Sequence, residues 1–231
     1  MGITLSLSGV IGKSKPEVVA VLREYLNTKS GGIEPELNDI RELNNNGSIL
    51  TEGTNGITVY YPYGFDDWDE ASMRISEGLK CPVFTFHIHH GEFWMYVLYN
   101  NGEFIDEFNP IPDYWNPDIS EKELEKLSGN PELISQIIES VDLKNISNYF
   151  YRWDVEGEPV KAYPEDEFEN NGLQLVDFMK KIGLEYPLDD SGYPKGDIYA
   201  IWTRNLTRVK NQKSNQTGEN NLIKNPWWKF W

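Results

Sequence analysis

Apolar positions in this chain recur with a period of two in some stretches and of about three and a half in others, which predicts interspersed strands and helices. Ile3 to Ser8 reads as a short strand. Ser14-Lys15-Pro16-Glu17 is a capping box, and Val18, Val21, Leu22, Tyr25 and Leu26 follow at helical spacing, with Gly31-Gly32 supplying positive-φ residues to end the helix. Asn45-Asn46-Gly47 and Asn55-Gly56 bracket SILTE ahead of ITVYYP, which predicts a hairpin. Asp66 or Asp67 then caps a helix carrying Trp68, Ser72, Ile75 and Leu79 on one face and ending near Gly78 to Cys81.

PVFTFHIHH, a turn at Gly91, FWMYVLY, a turn at Asn100-Asn101-Gly102 and EFIDEF predict a three-stranded meander. Its middle strand carries large apolar groups on both faces, so the meander is expected at the centre of the sheet, covered on both sides. Three prolines in Asn109 to Pro117 remove donors and fix φ, which makes that stretch a stiff aromatic loop. Two helices follow, one opened by Ser120 with Glu123, the other by Asn130-Pro131 with the stripe Leu133, Ile134, Ile137, Ile138 and Val141. YFYRW (149–153) reads as a strand, Leu175, Phe178, Met179 and Ile182 mark a helix closed by Gly183, and DIYAIWTR alternates as a last strand.

Tight hairpins among interspersed helices indicate an α+β class: a largely antiparallel sheet with a central three-stranded meander, flanked by helices. We expect one domain over 1–204, the alternative being a sub-boundary near 116–120, and a loosely ordered polar and aromatic tail over 205–231 that includes Trp227, Trp228, Phe230 and Trp231. At 39% hydrophobic and 13% aromatic, 231 residues suffice for a packed core. Cys81 is the sole cysteine, which excludes an internal disulfide, and it reads as a small buried apolar residue. The N-terminus lacks a basic start and a long apolar run, and no segment approaches the roughly 20 apolar residues that span a bilayer, so a cytoplasmic protein is expected. Met1-Gly2 with Ser6 fits the loose myristoylation pattern, and sequons at Asn46, Asn145, Asn205 and Asn215 carry weight only with a route to secretion.

Charge changes the picture more. The net charge is −16, and residues 101–170 hold 18 Asp/Glu against 5 Lys/Arg, whereas 201–231 hold 6 Lys/Arg against Glu219 alone. Such a field disfavours direct nucleic-acid binding and favours encounter with a basic protein.

All three histidines fall in HIHHGEFW. Strand alternation puts His87 and His89 on one face with Val83 and Thr85, and His90 on the other. His87 and His89 with Asp106 are a candidate metal site, hence a metal-dependent hydrolase as the alternative function, but two histidines fall short of the three protein ligands a catalytic zinc site requires. No G-x-S-x-G, P-loop or G-x-G-x-x-G occurs, and no cofactor is implied. Aromatics beside acids suit binding better, with the NPIPDYW loop foremost, because large rings within a charged rim concentrate interface energy. The candidate partner-binding residues are Asp106, Glu107, Asp113, Tyr114, Trp115, Glu165, Asp166 and Glu167.

The run from CPVFTFHIHHGEFWMYVLYNNGEFIDEFNPIPDYW through LSGNPELISQII to DEFENNGLQLVDFMKKIGL, with Asp106, Asn109, Pro110, Asp113 and Tyr114, resembles a group of uncharacterised bacterial proteins related to the SUKH-type immunity proteins. That resemblance implies an α+β fold and a role in neutralising a toxin or sensing another partner, and it brings no active-site residues. The expectation is therefore a non-enzymatic, acidic binding protein of immunity or antitoxin type that occludes a basic partner such as a nuclease toxin.

Overall fold

A computed structural model describes residues 4–35, 46–154 and 156–206 of the chain. Eight strands form one sheet: β1 (Leu5–Ile11), β2 (Gly32–Pro35), β3 (Gly47–Glu52), β4 (Gly56–Tyr60), β5 (Pro82–His89), β6 (Phe93–Asn100), β7 (Glu103–Phe108) and β8 (Asp197–Trp202). Their order is β2-β8-β3-β4-β1-β5-β6-β7, and every neighbouring pair is antiparallel. Helices α1 (Lys15–Thr28) and α2 (Trp68–Leu79) cover one face. The other is covered by the segment after β7, which holds α3 (Glu121–Lys126), α4 (Pro131–Ile137), α5 (Gln174–Lys181) and two single 3₁₀ turns between α4 and α5. No helix among the described residues is long and apolar enough to cross a membrane.

β5, β6 and β7 do pair consecutively, with His87 opposite Met95 and Leu98 opposite Asp106, but they occupy one edge of the sheet. The expected central meander is therefore corrected, since the middle belongs to β4 and β1. All seven residues of β1 are buried because it bonds to β4 on one side and β5 on the other with both faces covered, and it runs past the expected end at Ser8 to Ile11.

Two local expectations also change. The left-handed residue that ends α1 is Ser30, at φ 56°, while Gly31 and Gly32 serve close approach: a Cβ on Gly31 would strike the carbonyl oxygen of Trp202. YFYRW forms no strand. The outer edge of β7 is already taken by the Phe108–Ser128 bridge and by Gly129 N–H donating to the Glu107 carbonyl, and the main chain of Trp153 bonds instead to the carbonyl of Pro110 at 2.9 Å. β8 reaches its place between β2 and β3 from far along the chain. Asn205 and Leu206 close a turn on the Thr203 hydroxyl; the rest of the expected tail, like Gly2, lies outside the described residues.

Phe178 of α5 organises the second core. Its ring stacks on Trp94 at 4.9 Å and meets Phe84, Phe86 and Tyr149 edge-on at 6.2, 6.2 and 5.4 Å. Such contacts add to the burial of large rings and give them a preferred geometry. Phe178→Ala is expected to cost about 3–5 kcal/mol, read as a lower urea midpoint at unchanged slope.

Candidate partner-binding surface

The turn between β5 and β6 places His90 and Gly91 at φ 51° and 73°, with Glu92 N–H closing on the His89 carbonyl at 2.9 Å. The proline-rich loop folds back onto this turn. Asn109 Oδ1 accepts from Ile111 N–H at 2.9 Å, Tyr114 N–H donates to the Ile111 carbonyl at 3.1 Å, and Arg152 pairs with Asp113 at 2.6 Å. So held, the Tyr114 and Trp115 rings lie 5.3 and 5.0 Å from His89, 5.2 and 5.6 Å from Phe93 and 5.1 Å from each other. His90 stacks on His89 at 4.3 Å. Phe93 is fully buried beneath, while Tyr114 and Trp115 remain 44% and 55% exposed. The result is a shelf of rings fixed from below and open above. Partial burial and the neighbouring Glu92 carboxylate push the Tyr114 hydroxyl up from its ordinary pKa.

The histidines are parts of the packing. His87 accepts or donates a 2.9 Å hydrogen bond between Nδ1 and Ser6 Oγ, stacks on Trp68 at 5.3 Å, and has its pKa lowered to about 4 by burial first and by His89 and His90 second. Burial and His90 lower that of His89. Both rings are therefore held toward the neutral form, as a solvent-poor environment disfavours imidazolium.

Asp106 cannot join them. It pairs opposite Leu98, three residues along β6 from the Met95 that faces His87, so its side chain leaves the opposite face of the sheet. The candidate set His87, His89 and Asp106 is corrected accordingly, and among the described residues no group of three His, Cys, Asp or Glu could hold a metal ion. Cys81 is buried and its thiol is pushed up to about 11 by desolvation.

The eight residues expected to meet a partner do not form one surface. Asp106 is 9% exposed and accepts from the Tyr96 hydroxyl at 2.6 Å and from Asn130 N–H at 2.9 Å, which ties β7 to the start of α4. Asp166 is 4% exposed and accepts from the Tyr149 hydroxyl at 2.8 Å and Tyr163 N–H at 3.1 Å, with Lys181 Nζ at 3.7 Å. Burial raises the pKa of both. These two carboxylates hold the fold and are not offered to a partner, contrary to expectation. Glu107 is half-buried, on the face away from Asp106, and burial raises its pKa too. Glu165 is exposed and pairs with Lys181 at 2.6 Å, and Glu167 is exposed beside α5. Only Asp113, Tyr114 and Trp115 belong to the ring shelf. His89, His90, Glu92 and Phe93 complete it, and sequence reasoning missed them as binding residues because they lie some twenty positions away on another element; the excess of rings in both stretches was the only local signal.

No protein-family model matches the chain, and no curated protein or solved structure matches it.

The buried acid yields a prediction with a definite sign. A carboxyl whose pKa is raised by folding costs stability once pH rises through its folded value, because its charged form is the one burial penalises. Asp106→Asn keeps an acceptor without the charge and is expected to match or exceed the native protein in urea at pH 7, with the difference shrinking at pH 4. Asp106→Ala leaves the Tyr96 hydroxyl and Asn130 N–H unpaired and is expected to cost about 1–3 kcal/mol.

Proposed function

We propose that this is a non-enzymatic binding protein of immunity or antitoxin type, occluding a basic protein partner such as a nuclease toxin. The observation that carries the reading is the shelf of Tyr114 and Trp115, large rings that remain exposed although the loop bearing them is tied down at Asn109, Asp113 and Tyr114. A surface ordered before binding loses little entropy on association, and Trp and Tyr are the residues that most often dominate interface energy. Glu92 stands beside the rings, and the chain as a whole carries −16, which steers a basic partner toward it. The resemblance of the β5-to-α5 region to uncharacterised bacterial proteins related to the SUKH-type immunity proteins is what suggests the immunity role.

The test is retention of partner from the native host on immobilised protein. A basic protein should be held by the native chain, and Trp115→Ala should weaken the purified complex by about 2 kcal/mol or more, roughly thirtyfold, while leaving the unfolding temperature unchanged. Association should slow as salt rises from about 0.1 M to 1 M, where the screening length drops from about 10 Å to 3 Å. A partner with a neutral or acidic contact face, or one indifferent to Trp115→Ala, would sink the reading.

A further inference from the structure

A cavity of about 450 Å³ lies away from the ring shelf, between α5 and the loop that leads to β8. Its apolar lining comes from Phe168, Val176, Leu184, Tyr186 and Leu188. Five carboxylates, of Glu167, Asp177, Glu185, Asp189 and Asp190, share it with only Lys180 and Lys195. Lys195 is committed to Glu185 at 2.6 Å, which leaves four acids against Lys180.

The wall is built rather than incidental. Asp177 is 7% exposed and its Oδ2 accepts from the main-chain N–H groups of Glu167 and Phe168 at 3.0 and 2.8 Å. Asp189 Oδ1 accepts from Ser191 and Tyr193 N–H at 2.9 and 2.8 Å, and the loop is closed by the Leu188–Pro194 bridge and by Lys195 N–H on the Pro187 carbonyl. Two of the acids are thus fixed before any ligand arrives.

We infer that this cavity binds an organic cation: an amine or guanidinium group carried on an aliphatic stem. The volume suits a small ligand or one long side chain. The net negative rim rejects anions and the apolar lining favours methylene groups over a hydrated ion. A bare metal ion does not fit, because among the described residues no three of these carboxylates converge as ligands. The site shares no residue with the shelf, so it stands or falls separately from the proposed partner.

Isothermal titration of the full chain with agmatine tests it, with 1,5-pentanediol as the uncharged control. Agmatine should bind with Kd of about 1 mM or tighter, and the diol should not. Glu167→Gln combined with Asp190→Asn, two exposed acids, should weaken agmatine about threefold or more. Val176→Trp, which fills the cavity, should abolish binding; circular dichroism and the unfolding temperature confirm that each variant is folded. Equal binding of the diol, no agmatine heat, or unchanged affinity in the folded acid variant would each overturn the assignment. A blocked arginine, N-acetyl-arginine amide, separates the sources: binding at least as tight as agmatine supports a protein side chain as occupant, and exclusion of it while agmatine binds supports a free amine.

Discussion

Closure of the second face of the sheet rests on one helix and chiefly on one ring. Phe178 fills the space among Phe84, Phe86 and Trp94, and through Tyr149 it also fixes the irregular segment that precedes the acidic turn. A sheet buried on both sides needs two covers, and here the first is regular helix while the second is largely loop and short turns. Where such a cover is irregular, buried polar groups that no helix or strand ladder satisfies must find side-chain partners.

Buried acids answer that demand. Asp106 and Asp166 each take a tyrosine hydroxyl and a main-chain N–H, and Asp177 takes two successive N–H groups. The high acid content of residues 101–170 is therefore in part structural. Others, such as Glu165 and Glu167, stay exposed and add to the net negative charge of the chain.

In the ring shelf, packing holds a proline-rich loop so that its large rings stay exposed. Tyr114 and Trp115 need support to stay exposed and ordered, and the turn after β5 provides it through His89 and Phe93. His89 owes its place to this stacking and His87 to Ser6 and Trp68, and burial there disfavours the charged form of both rings.

Local pattern alone determined the α+β class, the capping boxes at Ser14 and Ser120, the hairpin of β3 and β4, the succession β5-β6-β7 and the shared face of His87 and His89, whereas His90, expected on the opposite face, leaves the strand at φ 51° and stacks on His89. These follow from periodicity and turn chemistry, which act over a few residues. Only the tertiary structure decided that the meander sits at an edge, that β8 enters between β2 and β3, that YFYRW is irregular, that Asp106 and Asp166 are internal, and that a loop and a turn some twenty residues apart make one surface. Those outcomes depend on which strand edges and apolar faces are left unoccupied once the chain has closed on itself, and no short window of residues carries that information.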